Sequence, residues 1–187
     1  MIGGAEFEND AAAVAAALGG RQVGYVWLMD SHRQAVFRFV RGHVAHEEEA
    51  LDVTQECFVS AFAALKRYDP DRSFRNWLLS IAINKCRDWG RRRTVRKLFN
   101  FASPLDEAFG VADPDPDPEQ AAIADQGVAR IKAALANLPT KLRNPILLCS
   151  IEGLSQDQAA QVLGISRKAV ETRIYRARQK LSEMLEG

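Results

Sequence analysis

Apolar side chains in this chain recur three and four residues apart, in blocks divided by polar breaks. Each block predicts an amphipathic helix. The strongest block is 73–93, where Phe74, Trp77, Leu78, Ile81, Ala82 and Trp89 form one stripe opposite Asn76, Ser80, Asn84, Arg87 and Arg91. Before it, residues 22–42 repeat the pattern through Val26, Leu28, Met29, Val36, Phe37 and Val40 and stop at Gly42-His43. Residues 46–66 repeat it through Leu51, Phe58, Ala61, Phe62 and Leu65. Three helices with interlocking aromatic stripes predict one compact all-α domain over residues 22–97. Residues 1–21, rich in Ala and Gly, form an N-terminal extension with one short helix at 10–18.

The pattern breaks over residues 98–118. Asp113-Pro114-Asp115-Pro116-Asp117-Pro118 alternates acid and proline, which excludes regular helix and favours extended chain. This is an acidic, semi-rigid linker. A second helical domain, residues 119–187, follows. Ile123, Val128, Ile131, Leu135 and Leu138 mark its first helix, and Pro145 is expected in the first turn of the next, where a missing N–H costs little. Residues 155–185 read as a helix-turn-helix with a tail. Ser155 to Gln158 has the form of a capping box. Gly164 suits the turn, and Ser166 suits the start of the final helix. There Val170, Ile174, Ala177 and Leu181 face inward. Arg167, Lys168, Glu171, Thr172, Tyr175, Arg176 and Arg178 face outward.

Composition refines this picture. Hydrophobic residues make up 47% of 187, enough for two cores, and the net charge of +1 conceals a segregation of sign. Residues 103–127 hold acids and no base, whereas 72–97 are strongly basic, which argues for a charged interaction surface. No apolar run approaches the length of about 18 residues that spans a membrane. No secretory signal is visible, so the expected compartment is the cytoplasm. Cys57, Cys86 and Cys149 lie in apolar helical surroundings and read as buried free thiols. With His32, His43 and His46 they make no metal-ligand spacing, and neither a metal nor a cofactor is expected.

Candidate chemistry sits in three places. Asp52, Gln55 and Glu56 share one helix surface. The loop Tyr68 to Ser73 lies beside a helix that ends in Arg91-Arg92-Arg93. An aromatic ring, an amide and arginines are what single-stranded nucleic acid requires, for stacking, base-edge reading and backbone neutralisation. The outward face of the last helix combines basic flanks with short polar and aromatic residues, as a recognition helix in a major groove does.

Taken together, these segments resemble an extracytoplasmic-function sigma factor, the small class of bacterial RNA polymerase sigma subunits. Region two of that family is similar to Leu51 to Phe58, then Tyr68 to Arg72, Phe74 to Leu78 and Ile81 to Asn84. Region four is similar to Leu138-Pro139, Glu152 to Ser155, Leu163 to Ser166, Val170, Arg173 to Arg178 and Leu181. The resemblance implies a region 2 helical bundle and a region 4 helix-turn-helix joined by the linker. It implies that Asp52, Gln55 and Glu56 bind the β′ clamp helices of core polymerase, with the β flap a further contact. The loop from Tyr68, with Arg72, Arg75 and Asn84, would capture a flipped minus-ten base, while Arg87, Arg91 and Arg92 hold the backbone. Arg167, Lys168, Glu171, Thr172, Arg173, Tyr175 and Arg176 would read the minus-thirty-five duplex. The linker would thread into the polymerase channel, and an anti-sigma factor is an implied partner. Neither a small-molecule substrate nor membrane insertion is implied. Two positions depart from the family: Glu171, where a basic or small polar residue is usual, and Pro145.

Three other functions compete. A plain helix-turn-helix regulator leaves the 50–93 block without a task. A DNA recombinase lacks a nucleophile with a supporting base. A decoy that binds only an anti-sigma factor has no use for the basic last helix.

Overall fold

The computed structural model describes residues 7–99 and 118–186. The described residues form helices and turns, with no strand among them. In chain order the helices are α1 (Asp10–Leu18), α2 (Gln22–Arg41), α3 (Glu47–Ala63), α4 (Phe74–Phe99), α5 (Pro118–Asn137), α6 (Thr140–Ile146), α7 (Gln156–Leu163) and α8 (Arg167–Glu186). A 3₁₀ turn, Leu65–Arg67, ends α3, and a wide π turn, Leu147–Ile151, follows α6. Residues 100–117 of the linker, including the Asp-Pro alternation at 113–117, lie outside the described residues, as does the side chain of Ile123, while 98 and 99 continue α4 and Pro118 opens α5.

Helices α2, α3 and α4 pack as a bundle around Leu28, Val36, Phe39, Val40, Val53, Phe58, Phe74, Leu78, Leu79, Ala82 and Ile83. The bundle agrees with the sequence pattern, but several faces do not. Val26, Met29 and Leu51, expected inside, are exposed, as are Val128 and Ile131 in α5. Leu79 and Ile83, outside the expected stripe, are buried, while Cys57 and Cys86 are buried free thiols as expected and Cys149, expected to be buried too, is only half-buried. The short helix at 10–18 forms, and it packs on α2 with Ala13, Val14, Ala16 and Ala17 buried. Gly24 permits that approach: a Cβ there would lie 2.5 Å from the carbonyl oxygen of Ala13 and 2.6 Å from the nitrogen of Ala17. His32 Nε2 joins Asp10 Oδ1 at 2.7 Å across the same seam.

In the C-terminal half the local signals act as expected. Ser155 accepts from the Gln158 N–H and the Gln158 side chain accepts from the Ser155 N–H, closing the capping box. Gly164 ends α7 in the left-handed region, φ 63°. Ser166 accepts from the Ala169 N–H at 3.2 Å. Pro145 is a correction: it lies inside α6, past the first turn. Proline offers no N–H to the helical ladder. The chain then widens, and the Glu152 N–H bonds five residues back, to the Leu147 carbonyl, at 3.0 Å.

The two halves share a core. Leu147, Leu148, Leu154, Ala159, Ala160, Val170 and Ile174 belong to the same apolar cluster as the α2–α4 bundle. Leu147 fills the space where a Cβ on Gly42 would stand, 2.5 Å from its Cδ1.

Candidate nucleic-acid interface

Helix α4 carries the first basic surface. Its polar face exposes Asn84, Arg87, Arg91, Arg92, Arg93 and Arg96 in succession. Arg93 stacks over the Trp89 ring, 5.4 Å from its centroid, a cation–π contact that holds one guanidinium flat against the helix. Arg91 stays 74% exposed and lies 4.0 Å from Asp88. Such a ladder of exposed cations is suited to a phosphate backbone.

The loop before α4 is ordered by Tyr68. Its hydroxyl donates to the Arg72 carbonyl, Asp69 Oδ1 accepts from the Asp71 N–H at 3.1 Å, and the Arg72 N–H donates to the Asp69 carbonyl at 3.0 Å. The ring itself is buried. It meets Phe74 edge-on and Trp77 at a tilt, each with centroids 5.3 Å apart. Burial also pushes the phenol pKa up, with the negative charges of Asp10 and Asp69 adding to the effect. The stacking role expected of Tyr68 therefore does not fit: its faces are occupied by core aromatics. Nor does one pocket hold the loop and Asn84 together. Ten residues of helix place Asn84 about 15 Å along the axis from Phe74, too far for the two to line one base-sized pocket.

The remaining region 2 positions divide. Asp52 and Gln55 are exposed on α3. Glu56 accepts from Arg92 at 3.2 and 3.3 Å and lies 3.9 Å from Lys85 Nζ. Arg72 is 78% exposed, 3.4 Å from Asp69. Arg75 turns away from the basic ladder towards the C-terminal half.

There it meets Glu152, whose carboxylate is fully buried. Arg75 donates to Glu152 Oε2 at 2.6 Å and to the Glu152 carbonyl at 2.9 Å. Arg38 of α2 donates two parallel bonds to the same carboxylate, each 3.2 Å. Close by, His43 Nδ1 lies 3.1 Å from the Phe39 carbonyl and Nε2 lies 2.7 Å from the Asn144 side-chain amide. Burial, with the charge of Arg143 adding to it, lowers the His43 pKa to about 4, so the ring is neutral. Both partners, the Phe39 carbonyl and Asn144 Oδ1, are acceptors, and a neutral ring donates its one N–H to one of them. Sequence reasoning missed Arg38, His43 and Asn144, and took Glu152 only as part of a motif. The available signal was a lone acid in an otherwise apolar run, Leu147 to Leu154, since a buried charge requires a partner.

Helix α8 presents the second surface. Arg167, Lys168, Glu171, Thr172, Tyr175 and Arg176 are exposed and Arg173 is half-buried. Arg167 pairs with Asp157 of α7 at 3.4 Å, both largely solvated. Lys168 reaches Glu171 at 3.5 Å. Thr172 donates to the Lys168 carbonyl at 2.8 Å, and Tyr175 is 63% exposed. No group of His, Cys, Asp and Glu among the described residues could hold a metal ion. No described helix is long and apolar enough to cross a membrane.

Known proteins share this arrangement. The family model for Sigma-70 region 2 matches residues 28–96, and that for Sigma-70, region 4, matches residues 129–181. The chain is 43% identical to the RNA polymerase sigma factor CnrH of Cupriavidus metallidurans over 183 residues, 96% of each chain. It is 36% identical to the RNA polymerase sigma factor NccH of Alcaligenes xylosoxydans xylosoxydans, over 90% of each. The solved structure of CnrH in complex with the cytosolic domain of CnrY superposes with a TM-score of 0.69 at 36% identity, covering 95% of this chain and 97% of that one. With region 2 and region 4 in order and such relatives along nearly its whole length, the chain belongs to the sigma-70 family of RNA polymerase sigma factors, in its extracytoplasmic-function class.

Proposed function

We propose that this sigma factor brings core polymerase to its promoters through three surfaces. The carrying observation is the pair of exposed basic faces, on α4 and α8, in the two halves of the chain that the acidic segment connects. On α4, Asn84 offers two donors and one acceptor to a base edge. Arg72, Arg87, Arg91 and Arg92 neutralise the minus-ten strand, and Arg75 joins them when released from Glu152. Tyr68 acts through the loop it orders. On α8, Arg167, Lys168, Arg173 and Arg176 hold the minus-thirty-five backbone, while Glu171, Thr172 and Tyr175 face base edges. Glu171 suits a cytosine amino group, to which a carboxylate accepts.

Asp52 and Gln55, with Glu56, form the docking face for the β′ clamp helices, and region 4 meets the β flap. The boundaries at 22–97, 98–118 and 119–187 set two DNA-contacting units and the tether, and α1 serves as a brace for the first. An anti-sigma partner is proposed because the similar sigma factor CnrH, covered over 97% of its solved chain, has been solved with the cytosolic domain of CnrY. The site of action is the cytoplasm, on nucleic acid and protein and with no chemistry of its own.

Run-off transcription tests this reading. Core polymerase plus this chain should yield transcripts from a promoter library that core alone does not. Absence of any chain-dependent transcript would refute it.

A further inference from the structure

The loop before α4 is fixed at both of its ends by one group of rings. At its start, the Tyr68 ring lies against Phe74, and the Tyr68 hydroxyl donates to the Arg72 carbonyl. At its end, Ser73 caps α4. Its side chain accepts from the Asn76 N–H at 3.3 Å, and its carbonyl accepts from the Trp77 N–H at 3.0 Å. Phe74 follows at once and is fully buried. Between these ends, residues 69–73 are all exposed. A further ring against Phe74 is His32 of α2, with centroids 5.3 Å apart. His32 is held in turn by α1. Its Nε2 lies 2.7 Å from Asp10 Oδ1, and since a carboxylate only accepts, the imidazole carries a proton there. Asp10 opens α1, which also touches the Leu65–Arg67 turn just before Tyr68. Helix α1 lies wholly before residue 28, where the Sigma-70 region 2 match begins.

We infer that Asp10 and His32 are positioning residues for minus-ten recognition: through Phe74 and Tyr68 they set the loop at 69–73 that takes a base from the melted strand. This deepens the promoter reading above and rests on it. A recognition loop discriminates only while its groups stay within about 0.5 Å of the productive geometry, held by packed side chains and hydrogen bonds behind them. The loop's own bonds, from Asp69 to the Asp71 and Arg72 N–H groups, are local. They shape the loop but do not fix it to the bundle. Its fixture is the Tyr68–Phe74 pair, and the Asp10–His32 contact closes the chain of contacts behind that pair. Loss of Asp10 frees the His32 ring to turn. Phe74 and Tyr68 then shift, and the Arg72 carbonyl moves with the Tyr68 hydroxyl. Neither Asp10 nor His32 needs to touch the strand.

The test loads the full chain on core polymerase and offers two DNA pools, single strands and short duplexes, each with a randomised stretch. Sequencing the bound fraction gives the base preference at every position. The single strands report the loop, and the duplexes report α8. His32→Gln and Asp10→Ala should each flatten the single-strand preference at one position by about tenfold, within what one base contact supplies. The duplex preference should stay as in the parent. Asp10→Asn keeps an acceptor oxygen for the imidazole N–H and should lie between the parent and Asp10→Ala. Circular dichroism and urea unfolding accompany each variant. If His32→Gln loses its fold, Asp10→Ala decides, because the Asp10 side chain is 29% exposed. Folded variants with the parent's single-strand preference overturn the inference, whatever stability they lose. Preference lost equally in both pools also overturns it, since general loosening then explains the effect. A parent with no single-strand preference overturns the minus-ten reading itself, and this inference with it.

Discussion

Single side chains here do work that their type alone does not reveal. Tyr68 is a core ring with one polar tie, so its two parts separate by substitution. Tyr68→Phe should cost about 1 kcal/mol, the worth of one hydrogen bond, and Tyr68→Ala about 3 kcal/mol or more from the cavity left. Urea unfolding of the two variants distinguishes this from a surface stacking role, for which both losses are small. The cysteines also sort by position. Burial pushes the Cys57 thiol up to about 12 and the Cys86 thiol higher still, while Cys149 is half-buried and less shifted. Thiolate is the reactive form, so a maleimide on the folded chain should modify Cys149 first. Early modification of Cys57 or Cys86 would show that the bundle opens.

His43 gives the closure of the two halves on each other a pH dependence whose sign follows from its lowered pKa. In the packed state the ring charges only near pH 4, and in the open state near its ordinary 6.5. Closure is thus at full strength above about pH 6.5. It weakens by roughly 1.4 kcal/mol per unit as pH falls towards 4, since only the open form takes up the proton. The positive charge of Arg143 also lowers the His43 pKa and reinforces that sign. Scattering at pH 7.5 and pH 5 should show expansion at the lower value. His43→Gln should flatten the change, and expansion of equal size in that variant would assign the effect elsewhere.

At the scale of elements, the helices were legible in the sequence because their caps and apolar spacing act locally. Ser155, Gly164 and Ser166 behaved as their positions in the pattern required, and so did the short helix at 10–18. The faces were less legible. Val26, Met29 and Leu51 satisfy helical spacing yet sit outside, because a stripe read from spacing is wider than the face the neighbouring helices cover. Pro145 was misplaced because the π turn that follows it has no sequence pattern to betray it. Packing of α1 depended on one missing side chain, at Gly24. Gly24→Ala drives a methyl group into the α1 backbone and should cost about 1–3 kcal/mol. Limited proteolysis should then cut first before residue 22. A cleavage pattern like the parent's would mean that α1 yields without loss.

At the scale of the whole molecule, the docking and DNA surfaces can be separated. Asp52→Lys is the cleaner probe of polymerase binding, because Glu56→Lys also releases Arg92. Core co-purification should fall with Asp52→Lys while helical content stays, and full retention would remove α3 from the interface. Arg176→Ala should lower affinity for every promoter and reduce the salt slope by about one, whereas Glu171→Ala should alter base preference. An equal shift for every base after Glu171→Ala would place that carboxylate away from the groove. The contact that closes the molecule was the least legible. Glu152 and its two arginines are 77 and 114 residues apart, and no local period connects them.

The π turn after Pro145 sets the phase of everything beyond it. A helix turns about 100° per residue, and a π turn holds one residue more than an α turn in the same length. Deleting one residue between Leu147 and Ile151 would restore an even ladder and swing the following chain by that angle. Glu152 would leave the arginines, and α8 would be aimed elsewhere, with no side chain at either contact altered. The alignment of Glu152 with the basic face of α8 is therefore a matter of gearing, held by one surplus residue in a turn whose buried side chains, Leu147 and Leu148, are apolar.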